Sequence, residues 1–172
     1  MARTIFWYIK ENKIEKVKEL LDSGVDVNTV NTYIRTPLSW AYDNHRYDIL
    51  KMLVERGANL NFACPGLEHP LFWPIVNGDT WLVKYYIEQG ADVHYTRATD
   101  DTWLHSATNK GHIEIIKELL KHDGFDLYAK NCCGDSPMSV ATKCSTDPYY
   151  NRSVYLKILT IFKEYEKRKH LV

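Results

Sequence analysis

The sequence contains no glycine-rich phosphate loop, no HExxH pair and no serine or cysteine in a nucleophile-elbow setting. Phosphate cradling, metal-assisted hydrolysis and acyl transfer need those residues at fixed spacing. His112-Ile113-Glu114 has the H-x-E of the zinc deaminases, but the P-C-x-x-C that completes their metal site does not follow. Cysteines number only four, Cys64, Cys132, Cys133 and Cys144, without CxxC spacing. The adjacent pair Cys132-Cys133 is poor geometry for a metal clamp, so free thiols in a reducing compartment are the expectation rather than a disulfide framework. Net charge is missing too: 22 Lys+Arg balance 22 Asp+Glu, which removes any global basic field for nucleic acid or membrane. The N-terminal apolar run Ile5–Ile9 is too short for a signal-peptide core or a bilayer span. These absences leave no catalytic, cofactor or metal residue to name, and the expected location is cytoplasmic, with the nucleus open by diffusion.

What the chain does have is apolar content and periodicity. Apolar residues make up 45% and aromatic residues 13% of the 172 positions, enough to bury a core and too much for disorder except at the C-terminal end. Arg35 to Asn61 reads as one helix–turn–helix unit. Thr36 is placed to N-cap a first helix that opens on Pro37. Ile49, Leu50, Leu53 and Val54 give the second helix its apolar face, and Gly57 ends it in a left-handed conformation. Such a pair cannot bury its faces alone, and the sequence supplies copies. Gly24, Gly57, Gly90 and Gly124 recur at one constant step, lengthened by a single insertion in the last interval, and Pro37, Pro70, Trp103 and Pro137 follow the same steps. The columns Val17/Leu50/Val83/Ile116, Leu20/Leu53/Tyr86/Leu119 and Leu21/Val54/Ile87/Leu120 keep the same register.

The period and the pattern resemble the ankyrin repeat family. The matching residues are Thr36-Pro37-Leu38, Thr102-Trp103-Leu104-His105, Gly111-His112, Gly57-Ala58-Asn59-Leu60-Asn61 and Gly90-Ala91-Asp92-Val93-His94. The resemblance implies an all-α dominated ankyrin-repeat solenoid of about five repeats, each two antiparallel helices and a β-hairpin finger. Fingers and first helices would line a concave face, second helices a convex back. The repeats fall at about 1–31, 32–64, 65–97, 98–131 and 132–163, forming a repeat domain over 1–163, with 164–172 as a charged tail that frays from Lys163 onward. Pro74, inside the first helix of the third repeat, should shorten or distort it. Ser145–Ser153 reads as an insertion between the last two helices, with Tyr149-Tyr150 an exposed aromatic candidate. His105 and His112 read as framework histidines that hydrogen-bond loop backbone.

The informative constellation is aromatic. Trp7, Trp40 and Trp73 are each one repeat apart and occupy one position in three successive first helices. Their offset from Leu38 and Leu71 points away from the core-facing positions, toward the concave face of an ankyrin-like arrangement. Two readings stay open: indoles lying against neighbouring repeats and thickening the stack, or an apolar groove floor for a partner, since Trp is enriched at binding hot spots. Asp43, Asn44, Asn77, Asn109 and Lys110 share that side as a polar rim or as ordinary helix ends. The finger tips change sign along the chain, from Tyr33-Ile34-Arg35 through Gly66-Leu67-Glu68 to Asp100-Asp101 and Asp135, so the acidic tips would steer a basic segment of a partner.

The function expected is therefore non-catalytic recognition of another protein, as an inhibitor, effector or adaptor, without cofactor, nucleic acid or membrane. A chain of a few repeats and nothing more is similar to compact viral ankyrin proteins of IκB-like type and to small bacterial effector or immunity proteins. Either would place it in a cytosol, the host's if viral or secreted as an effector. A monomer is expected; a homodimer built on the Trp ladder is the alternative.

Overall fold

The computed structural model describes residues 4–61 and 68–169. Among them, ten helices follow one another: α1 (Ile5–Lys10), α2 (Ile14–Asp22), α3 (Pro37–Asp43), α4 (Tyr47–Glu55), α5 (Phe72–Asn77), α6 (Thr80–Glu88), α7 (Trp103–Lys110), α8 (Ile113–Leu119), α9 (Pro137–Thr146) and α10 (Arg152–Lys169). They group into two compact units, Met1–Pro70 and Leu71–Val172. In the first, α1 packs on α2 and α3, and α3 on α4; in the second, α5 packs on α7, α7 on α9, and α8 and α9 on α10.

The helix punctuation is where the sequence places it. Thr36 Oγ1 accepts the Ser39 N–H, Thr102 that of His105, and Ser136 Oγ that of Ser139. Each satisfies a first-turn donor that the helix itself leaves open. α4 ends in a Schellman motif: the Ala58 N–H reaches Leu53 O at 2.9 Å and the Gly57 N–H reaches Val54 O at 3.0 Å, around a glycine at φ +83°. After α2, α4, α6 and α8 an Asx turn redirects the chain, with Asp26, Asn59, Asp92 and Asp126 each accepting, at 2.8 Å, the N–H two residues on. Val17, Leu50, Val83 and Ile116 are fully buried, as are Leu53 and Leu119, with Tyr86 nearly so. Their equivalent in the first repeat, Leu20, is only half-buried, because no earlier repeat among the described residues covers it.

A second period emerges between the helices of a pair. Asn12, His45, Gly78 and Gly111 all have positive φ and stand at equivalent places in successive repeats. In the second unit the glycine is obligatory, since a Cβ on Gly78 would sit 2.8 Å from the His112 ring. That ring is there because His112 Nε2 donates to Val76 O at 3.1 Å. Arg46 does the equivalent in the first unit, donating to Lys10 O at 2.8 Å, and the Tyr155 hydroxyl donates to Asn109 O at 3.0 Å. Each stitch satisfies a carbonyl at the open C-terminal end of a first helix.

Two expectations are met and two are corrected. The fingers are short hairpins, closed by the Asn31, Arg97 and Asn131 N–H groups on Arg35 O, Asp101 O and Asp135 O, and among the described residues the one β-bridge pairs Thr96 with Thr102. The first helix of the third repeat, which carries Pro74, is short, as expected, and starts two residues past Pro70. α5 begins at Phe72, is six residues long, and holds Pro74 in its first turn, where a missing N–H costs no helical bond. The insertion at Ser145–Ser153 is not a loop of that length, because α9 runs on to Thr146 and α10 starts at Arg152. Of the segment expected to fray, residues 163–169 are helical. They form the last turns of α10, with Tyr165 buried, its hydroxyl accepting the Phe125 N–H. Arg168 and Lys169 donate to Leu120 O and Phe125 O.

Candidate functional site

The first finger turns on one asparagine. Asn31 Oδ1 accepts the N–H groups of Tyr33 and Arg35 at 2.9 and 3.0 Å, while the Ile34 N–H closes on Asn31 O at 3.0 Å. Asn131 holds the last finger the same way, accepting from Cys133 and Asp135 at 3.0 Å each. The sequence reading passed over both asparagines. The signal was present as an Asn shortly before Arg35 and Asp135, the placement of a side chain that bonds its own downstream backbone.

That geometry pushes side chains at the tip outward. Tyr33 is 75% exposed, Val30 49% and Ile34 44%. Ile34 has φ +55°, a left-handed conformation that is strained for a β-branched residue. The Tyr33 ring lies parallel to the Trp40 indole with centroids 6.4 Å apart, and Phe6 meets Trp40 edge-on at 6.3 Å. Between finger and helices lies a groove of about 650 Å³, lined by Phe6, Trp7, Lys10, Leu20, Val25, Val30, Tyr33 and Trp40 among others. The structure thus brings Trp7, Trp40 and Tyr33 to one apolar surface. Trp40 has two employments: its indole N–H donates to Phe6 O at 2.9 Å, so part of the residue is inter-repeat structure. Trp7 is half-buried and meets Tyr8 edge-on at 5.1 Å. Trp73 belongs to the second unit, where it is 37% exposed and packs edge-on against Phe72 at 4.9 Å.

The polar residues expected as a rim prove mostly occupied. Asn44 is the C-cap of α3, its amide donating to Trp40 O at 2.8 Å. Arg35 pairs with Asp43 at 3.5 Å. Burial raises the Asp43 carboxyl above its ordinary range, against the opposing pull of Arg35 and His45. Asn77 is the last residue of α5. In the second unit Asn109, Lys110, Asp101 and Asp135 line a polar furrow of about 430 Å³ with Phe72, Arg97, His105 and Cys133. Its acids are engaged. Asp101 accepts from Asn131 Nδ2 at 2.8 Å and from Thr99 at 2.9 Å, with Arg97 at 4.0 Å. Asp135 is ion-paired with Lys143, which holds its carboxyl below the usual range. Asp100 is exposed at the finger tip, at φ +58°. Of the three acids expected to steer a partner, Asp101 and Asp135 have partners inside the chain and Asp100 is exposed.

His105 serves the framework, as expected. Its Nδ1 accepts the Thr102 N–H at 3.2 Å, which leaves the proton on Nε2, 3.1 Å from Asp135 O. Trp103, in the place of a proline, is fully buried and donates to Asp92 O at 3.0 Å. Tyr149 is exposed, Tyr150 packs edge-on against Tyr155 at 5.6 Å, and burial pushes the Tyr155 hydroxyl up to about 12. The finger tip at Gly66-Leu67 and Cys64 lie outside the described residues. Among the described residues, no helix is long and apolar enough to cross a membrane.

A tandem repeat of paired helices joined by short fingers defines the class of fold. The family model for ankyrin repeats in three copies matches residues 2–64 and 71–160, and the chain belongs to the ankyrin repeat family. Ankyrin repeats are generally protein–protein interaction modules, and the family is typically non-enzymatic. A search among curated proteins finds no match.

Proposed function

We propose that the chain is a non-catalytic recognition module that holds a partner protein in the groove of the first unit. Trp7, Phe6 and Trp40 form its apolar floor and Val30 and Tyr33 its wall, with Ile34 exposed beside Tyr33 at the tip. The observation that carries this reading is the finger tip itself. The finger turn takes a left-handed residue at this place, Asp100 and Gly134 in two other fingers, and here it carries an exposed β-branched isoleucine, a strain of the kind that concentrates where a side chain is needed for contact. A contiguous apolar surface of this kind marks an interaction site, and its aromatic members are the residue types that anchor interfaces. The occupant is a partner segment with an apolar side chain, and the second unit, taken by itself, offers Asp100 to a basic segment. Trp73, Asn77, Asn109 and Lys110 are the contacts proposed there. The role is that of an inhibitor, effector or adaptor in a cytosolic compartment.

The test is site-specific photo-crosslinking in the native cell, with a benzophenone amino acid at Tyr33 and, as a control, at Tyr149. A discrete adduct from position 33 and none from 149 is the expected result. No adduct, or the same adduct from both, overturns the site. Light scattering decides the homodimer alternative: a mass of one chain is expected, and a dimer dissolved by Tyr33→Ala would assign the groove to self-association.

A further inference from the structure

We infer that Cys132 and Cys133 are a reversible oxidation site, closing on each other to form a vicinal disulfide at the tip of the Asn131–Asp135 finger. Both thiols are exposed and free, and their sulfurs lie 3.9 Å apart. They occupy the two central positions of a turn that the Gly134 N–H closes on Asn131 O at 2.9 Å. The turn is braced on both sides. Asn131 Oδ1 holds the Cys133 N–H from within, and the Cys132 N–H donates to Thr99 O of the preceding finger at 2.9 Å. Gly134, at φ +77° with nothing within 4 Å of where a Cβ would stand, gives the turn room to adjust as the sulfurs approach.

Geometry also makes the bond reversible. Adjacent residues across a trans peptide have Cα atoms about 3.8 Å apart, short of the roughly 4.4–6.8 Å span of relaxed disulfides. The ring is therefore strained, and strained, exposed disulfides are the labile ones. With glutathione disulfide as oxidant the step balances. The Cys133 thiol loses its proton to water and its sulfur attacks one glutathione sulfur, expelling a glutathione thiolate. The Cys132 sulfur, deprotonated in turn, attacks Cys133 Sγ and expels the second. The two protein thiols give up two electrons and two protons, and one glutathione disulfide becomes two glutathiones. The two thiols can exchange these roles, since either sulfur is placed to donate to the other. Oxidation removes the Cys133 thiol from the wall of the polar furrow.

The full chain is equilibrated in glutathione buffers of varied redox ratio, quenched in acid and digested with trypsin. Peptide 131–143 contains these two cysteines and no other. The expected result is loss of two hydrogens from that peptide in buffer dominated by glutathione disulfide, reversed in buffer dominated by glutathione. Cys133→Ser is expected to retain one glutathione on Cys132 instead. A wild-type peptide that stays reduced, that keeps glutathione adducts, or that links to a second chain overturns the inference.

Discussion

The fingers Asn31–Arg35 and Asn131–Asp135 share a backbone and differ in what they offer. Both close on an asparagine carboxamide and both put a left-handed residue at the fourth position, Ile34 in one and Gly134 in the other. The first carries Tyr33 and Ile34 into solvent above an apolar groove; the second turns Asp135 inward to Ser139 and Lys143. The first finger therefore carries a strained β-branched residue where the last has an unstrained glycine, and although each engages one charged residue, Arg35 with Asp43 and Asp135 with Lys143, only the first exposes apolar side chains at its tip. The contrast separates presenting a surface from maintaining a fold.

The largest effects should fall on the second unit's packing. Trp103→Ala removes a fully buried indole and its bond to Asp92 O, and is expected to lower unfolding free energy by about 3–5 kcal/mol in urea titration. Tyr165→Ala, at a position first expected to fray, is expected to cost about 3 kcal/mol; a change within noise would restore the frayed tail. Tyr33→Ala inverts the pattern. It should weaken the crosslinked partner's affinity at least tenfold, roughly 1.4 kcal/mol or more, while its urea midpoint stays near wild type.

Exchanging the tip residues tests the comparison most directly. Ile34→Gly is expected to stabilise the chain by about 1 kcal/mol, and Gly134→Ile to destabilise it by about 1–2 kcal/mol, as strain is removed from one finger and added to the other. Equal effects of one sign would show that the two turns are not equivalent. The smallest effect is alkaline. Tyr155, about 12 in the folded chain against an ordinary value near 10, favours folding while it stays protonated. Its contribution is complete below the unfolded value and is lost as pH rises between the two. Urea midpoints should therefore fall across that window, and Tyr155→Phe should flatten the slope.

The fold was legible because its signals are local and repeated. Thr36, Gly57 and the columns through Leu50 and Leu53 act within a turn or two of chain, and their recurrence in register along the sequence announces neighbours. The site was half legible. Trp7, Trp40 and Tyr33 were found from spacing and tip position, and the first unit gathers them around one groove. Asn31 and Asn131, the supports of the fingers, were missed because an Asx contact leaves only one residue type at one offset. Asp101 and Asp135 were read as available charges, because Asn131, Arg97 and Lys143 reach them through turns whose geometry no linear spacing records.

α10 marks the boundary between the two kinds of information. Its last turns alternate Lys, Arg and Glu, and on composition alone they belong to solvent. Only packing against α8 and α9 buries Tyr165 and aims Arg168 and Lys169 at carbonyls 48 and 44 residues away in sequence. The sequence alone determined the repeat, its caps, its buried columns and the aromatic positions, since each is settled by backbone propensity or by period. The tertiary structure alone decided which polar groups are already satisfied, and hence which side chains remain for a partner. That depends on atoms brought together from different repeats, whose distances are a property of the packed chain.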